Sequence, residues 1–410
     1  MKCRFCHTEL KDVFIDLFNS PASNSFLTKE QLNEPEQFYP LKIYTCHNCF
    51  LVQVDEYKKS DSIFDSSYVY FSSYAKSWLE HASRYVNMMT DRFKLDKNSQ
   101  VVEIASNDGY LLQYFVKKDI PVLGIEPTSN TAEVARQKGV ESVVDFFGVR
   151  LAKELVAKGK KADLLLGNNV LAHVPDIIDF TRGLKILLKD QGVVTMEFPH
   201  LVQLIENNQF DTIYHEHFSY LSFTTVKQIF EAAGLEMFDV DEIPTHGGSL
   251  RIYAKHKEDN SKAISSNVAA LIETEKGKGI LDIKYYKGLQ QQALKIKLEL
   301  LDFLAEQKKV GKKAAAYGAA AKGNTLLNYC GVKADLIDFV VDANPHKQNK
   351  FLPGSHIPVV AESYLKEQRP DYIIIFPWNI KEEVMTQLAY IKEWNGKFVM
   401  AIPNFHVISV

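Results

Sequence analysis

A chain of 410 residues, 46% hydrophobic and 24% charged, is long enough for two or three domains and has the composition of an ordinary soluble globular protein. Its formal net charge of -3 excludes the basic excess that non-specific nucleic-acid binding needs. No apolar run approaches the roughly 18 residues of a membrane span, and the start Met1-Lys2-Cys3-Arg4-Phe5-Cys6 has no apolar signal-peptide core. A cytoplasmic protein is expected, a monomer or small homo-oligomer, with neither nucleic acid nor membrane as partner.

Residues 1 to about 60 carry two C-x2-C pairs, Cys3 with Cys6 and Cys46 with Cys49, while Cys330 stands alone. Four thiolates so spaced match a closed tetrahedral Zn2+ site with no position left for substrate. A redox-active pair is the alternative, although neither pair precedes a thioredoxin-like helix. So short a segment cannot otherwise hold a core, so a metal-stapled lobe is expected over residues 1–75.

Next, Tyr68-Val69-Tyr70-Phe71-Ser72-Ser73-Tyr74 leads into an amphipathic helix over about 75–93. The aromatics suit packing, and the interleaved hydroxyls make Tyr68, Tyr70, Ser72 and Ser73 candidates for holding a substrate. From about 98, short apolar strands alternate with helices, which predicts a doubly wound parallel α/β sheet. Residues 101–105 form its first strand, 106–109 a tight turn, 110–118 a helix, and 122–126 a second strand ending at Glu126. That spacing places Glu126 to accept ribose hydroxyls. Of the usual glycines only Gly109 is present, so a pyrophosphate could not come close, which favours a nucleoside without phosphate over NAD. Later strands over 142–144, 162–167 and 192–197 run into Asp145-Phe146-Phe147, into Asn168-Asn169 with His173 beyond, and into Phe198-Pro199-His200. Ligands of such sheets bind at these carboxyl ends.

Tyr214-His215-Glu216-His217 gathers proton-handling side chains more densely than a structural segment needs. As a helical turn it aligns Tyr214 with His217; as a strand it aligns His215 with His217. A helix over 224–233 and strands over about 236–241 and 249–256 follow. A closing antiparallel pair on a parallel sheet distinguishes S-adenosylmethionine methyltransferases from NAD folds.

Residues 103–253 therefore look like a class I S-adenosylmethionine-dependent methyltransferase, and the whole chain resembles the nucleotide-sugar C-methyltransferases. The resemblance rests on the cysteine knuckles, Glu-Ile-Ala-Ser-Asn-Asp-Gly-Tyr-Leu-Leu at 103–112, Tyr-His-Glu-His at 214–217, His-Gly-Gly-Ser-Leu-Arg at 246–251 and Tyr-Gly-Ala-Ala-Ala-Lys-Gly-Asn-Thr-Leu at 317–326. It implies S-adenosylmethionine and Zn2+ as cofactors and a ketosugar on a nucleoside diphosphate, dTDP first, as substrate. It implies cofactor contacts from Glu103, Ala105, Asn107, Gly109, Tyr110, Leu111, Glu126, Pro127, Asp145, Phe146, Asn168, Asn169 and His173. His217 and Tyr214 fall on the family's catalytic histidine and tyrosine.

Carbon methylation beside a ketone needs a base near neutrality and a donor to the enolate oxygen. His217 is the expected base and Tyr214 the donor. Glu216 is expected to orient an imidazole, with His215 and His246 as reserve bases. Residues 261–308 read as helical, and 312–341 as a second Rossmann-like unit whose 318–324 turn could hold a diphosphate. Lys322 and Asn324 in that turn, and Arg251 in the 246–251 motif, are candidate substrate contacts. The expected divisions are the lobe 1–75, a methyltransferase domain 76–260, and a linker with a Rossmann-like nucleotide-sugar domain 261–410. Asp342-Ala343-Asn344-Pro345 could instead read an NAD ribose, which supports a rival oxidoreductase; a zinc-knuckle RNA methyltransferase is a third reading.

Overall fold

The computed structural model describes residues 1–59, 64 and 70–409; Tyr68 lies outside them. The chain divides into two compact units that alternate along the sequence. The first comprises Met1–Leu10, Cys46–Leu201 and Phe218–Tyr285, and the second Lys11–Thr45, Val202–His217 and Tyr286–Val410.

The first unit is built on a seven-stranded sheet in the order Leu235–Ile243, Ser249–His256, Leu188–Pro199, Ala162–Asn168, Val101–Ile104, Val122–Ile125, Ser142–Val143. The five strands from Leu188–Pro199 to Ser142–Val143 are parallel. Ser249–His256 is antiparallel to both its neighbours. Apolar runs such as Val101-Val102 and Leu164-Leu165-Leu166 are buried because a parallel sheet is covered on both faces. Chain order reverses at Val101–Ile104, which lies between Val122–Ile125 and Ala162–Asn168. A reversal of this kind opens a crevice at the carboxyl ends of those strands. The helix Lys76–Phe93 buries Ala82, Tyr85, Val86 and Met89 at three- and four-residue spacing, and these join Tyr110, Phe115, Phe238 and Tyr253 in one core.

Local structure departs from the sequence-based expectation in several places. The helix expected over 110–118 is only Leu112–Val116, because Ala105, Asn107 and Gly109 all take positive φ and extend the preceding turn. Gly109 is required there: at φ +72 a Cβ would stand 3.1 Å from that of Ala135. The strand expected over 192–197 runs from Leu188 to Pro199. The helical stretch expected over 261–308 is interrupted, with Ser266–Lys278 ending at Gly279 (φ 94) and Leu289–Lys309 starting at Gly288 (φ 112).

One buried carboxylate ties these elements together. Glu275 accepts from His200 Nε2 at 2.7 Å and from the backbone N–H groups of Phe223 and Thr224 at 2.7 Å each, so it caps the helix Phe223–Ala232. Burial raises its proton affinity, but the donors outweigh burial and hold the carboxyl below its ordinary range. Its contribution is therefore present above the unfolded-state value and is lost as pH falls through the folded one. Glu275→Gln is expected to cost about 1–3 kcal/mol, measured as a lower urea midpoint at pH 7. An unchanged midpoint would show that the cap is dispensable.

The second unit carries a six-stranded sheet in the order Val359–Val360, Val340–Val341, Ala314–Tyr317, Tyr372–Ile375, Lys397–Met400, His406–Ser409. All pairs are parallel except the last. The strand expected over 336–341 is confined to Val340–Val341. The helix Ala321–Cys330 lies against the sheet at Gly323, where a Cβ would come 2.4 Å from the Phe376 ring. The hairpin Asp12–Ser20 with Tyr39–Thr45 also belongs to this unit. Among the described residues no helix is long and apolar enough to cross a membrane.

Candidate active site and metal centre

In the first unit the sulfur atoms of Cys3, Cys6, Cys46 and Cys49 all lie within 4.8 Å of one another. Two of the separations are 3.6 Å (Cys3 to Cys49) and 3.5 Å (Cys6 to Cys46). A tetrahedron with Zn–S of about 2.3 Å has edges of roughly 3.8 Å, so the donor set fits Zn2+. Both knuckles have the same backbone: His7 N–H donates to Cys3 O at 3.0 Å and Phe50 N–H to Cys46 O at 2.9 Å. His7 and Phe50 each take a left-handed φ, near 60. Gln53 Nε2 donates to Cys3 Sγ at 3.2 Å, a bond that orients the ligand.

At the carboxyl ends of Val101–Ile104 and Ala162–Asn168, several buried polar atoms have no hydrogen bond among the described residues. They are both Glu103 oxygens, Ser106 Oγ, Asp108 Oδ1, both Asn168 amide atoms and Asn169 Oδ1. Buried polar atoms are nearly always satisfied, so this crevice is shaped for a polar ligand. Burial pushes the Glu103 carboxyl well above its ordinary range, reinforced by Glu126, Asp108 and Glu197. A cation relieves that penalty, and the amino group of S-adenosylmethionine is such a cation. Glu126, expected to take ribose hydroxyls, accepts from Asn107 N at 2.8 Å and from Thr128 N at 2.9 Å, so it also pins the loop. Tyr110 and Leu111 are buried behind the loop, and Pro127 follows Glu126 half-buried.

Ser72 N–H donates to Asn107 Oδ1 at 2.9 Å, and Asn107 Nδ2 donates to Tyr70 O at 3.1 Å. Lys138 joins Ser73 Oγ to the Asp108 carbonyl, at 2.7 Å each. Tyr70 and Ser72 thus meet the cofactor loop through their backbone, and Ser73 through its hydroxyl by way of Lys138. Asp145 is held by Arg150 at 2.6 Å beside the exposed Phe146. The ring of His173 meets Phe64 edge-on.

Sequence reasoning missed Trp78, His81, Tyr85 and Glu197. Glu197, fully buried on Leu188–Pro199, receives His81 Nε2 at 2.7 Å and Arg251 Nε at 2.7 Å. Burial raises the Glu197 carboxyl, but the hydrogen bond from His81 and the charge of Arg251 outweigh it and hold it low. Arg251, expected to contact substrate, is committed to Glu197 and to the Tyr85 ring 5.1 Å away. His81 stacks on Trp78 at 4.9 Å, and Trp78 stacks on Tyr110 at 5.9 Å. His246, at φ 54 in the turn after Leu235–Ile243, lies 5.1 Å from Trp78 and receives Asn169 Nδ2 at 2.9 Å. The available signal was spacing: positions 78, 81 and 85 share one helical face.

In the second unit Tyr214–His217 is neither helix nor strand but a turn, closed by His217 N–H to Tyr214 O at 3.0 Å. His217 Nδ1 faces the Thr212 carbonyl at 3.0 Å, and Nε2 faces the Tyr214 hydroxyl at 2.8 Å. A carbonyl only accepts, so Nδ1 carries the proton, and in the neutral ring Nε2 presents its lone pair. Glu216, expected to orient an imidazole, takes Asn24 Nδ2 at 2.7 Å, and the Thr212 carbonyl holds the His217 ring. His215 Nε2 lies 3.2 Å from Pro40 O, with the ring edge-on to Tyr39.

Lys322 and Asn324 face inward. Lys322 Nζ donates to Asn379 Oδ1 at 2.7 Å over the Trp378 ring, and Asn324 Nδ2 donates to Ser23 O at 2.6 Å. Asp342, the residue behind the NAD reading, is 3.6 Å from Lys347, which also donates to Ala319 O at 2.8 Å beside the turn.

Family models match in three consecutive blocks: a zinc binding domain over residues 3–64, a methyltransferase domain over 78–240 and a C-methyltransferase C-terminal domain over 244–403. C-methyltransferase NovU of Streptomyces niveus is 32% identical over 409 residues, covering 100% of this chain and 97% of NovU. A ubiquinone biosynthesis O-methyltransferase of Bartonella quintana is 27% identical over 99 residues, 24% of this chain and 40% of that protein. Among solved structures, the PH0226 protein of Pyrococcus horikoshii superposes with a TM-score of 0.38 at 14% identity, covering 46% of this chain and 95% of that one. With similarity to a C-methyltransferase along its full length, and with the four-sulfur site and cofactor crevice both in place, the chain belongs to the C-methyltransferase family as an S-adenosylmethionine-dependent enzyme with a zinc-binding domain.

Proposed function

We propose that this C-methyltransferase acts on a nucleoside-diphosphate keto-deoxysugar, methylating the carbon next to the ketone, with a dTDP-linked sugar the first to assay. The observation that carries the reading is the His217–Tyr214 pair, in which a base lone pair and an O–H donor are 2.8 Å apart. A carbon acid and its carbonyl oxygen are likewise close neighbours, so one pair can serve both. His217 Nε2 takes the α-proton while the C–H electrons pass into the enolate, and the Tyr214 hydroxyl turns to the oxygen where charge develops. The Thr212 carbonyl supports the imidazolium through Nδ1–H. Bound S-adenosylmethionine supplies the sulfonium methyl that the enolate carbon takes up as the C–S bond breaks to the thioether. Glu103, Asn168 and Asn169 of the first unit hold the methyl donor. We assign nucleotide binding to the Rossmann-like sheet of the second unit.

In D2O, with S-adenosylhomocysteine in place of the methyl donor, the enzyme is expected to exchange the hydrogen next to the ketone of a dTDP-ketosugar, seen as a deuterium gain in the mass spectrum. Methyl transfer to that sugar should follow when S-adenosylmethionine is added. Neither exchange nor methylation, with transfer to an unrelated acceptor, would sink the reading.

A further inference from the structure

The Lys322-Gly323-Asn324-Thr325 stretch opens the helix Ala321–Cys330, and each of its three polar side chains leads back to the turn that bears His217. Thr325 Oγ1 donates to Ile213 O at 2.8 Å. Asn324 Nδ2 holds Ser23 O at 2.6 Å, and the next residue, Asn24, donates to Glu216 Oε1 at 2.7 Å. The Lys322 ammonium lies 4.2 Å over the Trp378 ring, and the indole N–H of Trp378 donates to Asp211 Oδ2 at 2.7 Å. One helical turn therefore bonds residue 213 directly and reaches 211 through Trp378 and 216 through the Ser23-Asn24 segment, on both sides of Tyr214. Asp211 is buried, and its Oδ1 has no hydrogen bond among the described residues. The next residue, Thr212, supplies the carbonyl that fixes His217 Nδ1.

We propose that Asp211, Lys322, Asn324 and Thr325 are positioning residues that hold His217 in its Nδ1–H tautomer, with Nε2 as base, rather than ligands of the substrate diphosphate. This rests on His217 being the base. A free imidazole samples both tautomers, and only one offers Nε2 as acceptor; a rigid carbonyl selects it, provided its own turn is fixed from behind. Electrostatics agree with this arrangement. Burial raises the Asp211 carboxyl to about 6 and lowers the Lys322 ammonium to about 8, each opposed by attraction to the other. The groups facing this pair are the Trp378 indole and the Asn379 amide, and midway between those two values both partners are mostly charged and attract each other.

Thr325→Val removes one hydroxyl and keeps the shape. It is expected to lower kcat by up to about 100-fold, the order of loss when a change away from the chemistry misplaces a reacting group. KM for the ketosugar and the Kd of dTDP should stay within about twofold of wild type. Thr325→Ser, which keeps the donor, should restore turnover. Nitrogen-15 NMR of His217 should show protonated Nδ1 in wild type and mixed tautomers in Thr325→Val, with unchanged S-adenosylhomocysteine binding as the folding control. Lys322→Met should likewise lose kcat and not dTDP affinity. A large loss of dTDP affinity with kcat intact would instead make Lys322 a diphosphate ligand and overturn the proposal. If His217→Ala is inactive while Thr325→Val has wild-type kcat and tautomer, the positioning idea alone fails. If His217→Ala stays active, the base assignment is what fails.

Discussion

His217→Ala is expected to lose turnover by about 10²–10⁴-fold with no change in S-adenosylhomocysteine affinity. The size of the loss reflects how weakly a C–H next to a ketone ionises without a base aligned to it. The unchanged affinity follows from chain position: His217 belongs to the second unit, whereas Glu103, Asn168 and Asn169 belong to the first. Tyr214→Phe, which leaves Nε2 without its 2.8 Å hydroxyl partner, should show a smaller loss of the same kind. It should slow deuterium exchange and methylation together, because both pass through the enolate. Stopped-flow deuterium exchange and steady-state methylation on each variant measure the two effects separately. Full exchange in His217→Ala would move the base to His215 or His246. Of these, His215 Nε2 faces the Pro40 carbonyl at 3.2 Å, which makes that nitrogen a donor. A neutral His215 could then act only through Nδ1.

Loss of zinc should have the larger effect on folding. Structural Zn2+ sites contribute about 10–16 kcal/mol of apparent binding free energy at neutral pH, and in this lobe little else competes with it. Its chain consists of Met1–Leu10 and the start of Cys46–Leu201, joined by the sulfur cluster and by a few hydrogen bonds of Arg4 and Gln53. Cys49→Ser removes one corner of the tetrahedron and leaves three thiolates crowded together. We expect that variant, and wild type treated with a strong chelator, to lose bound zinc. Rapid proteolysis near the N-terminus and a lower first melting transition should accompany the loss. Elemental analysis before and after chelation, together with a thermal melt, tests this. Metal-free protein with an unchanged melt would show that the lobe stands on its own core. Because the donor set is a closed shell of four sulfurs, any activity lost should follow the unfolding curve and not precede it.

Short-range chemistry was legible in the chain itself. The two C-x2-C pairs announce their metal because four soft donors at that spacing have few other uses. The strands at 101–104, 122–125 and 162–168 follow from apolar runs bounded by turn residues, and Gly109 from the left-handed turn it must make. The density of titratable groups at 214–217 pointed to the segment we propose carries the base, although it did not say that the segment would be a turn. Tertiary structure decided the rest. That His81, stacked on Trp78, reaches Glu197 depends on a helix and a strand separated by more than a hundred residues. That Lys322 bonds Asn379 over the Trp378 ring and Asn324 holds Ser23 O depends on segments far from them in the chain. The tautomer of His217 depends on which carbonyl lies beside Nδ1. The physical reason is that periodicity and turn chemistry act over a few residues along the chain, whereas the hydrogen bonds that orient a base run between segments brought together only by burial.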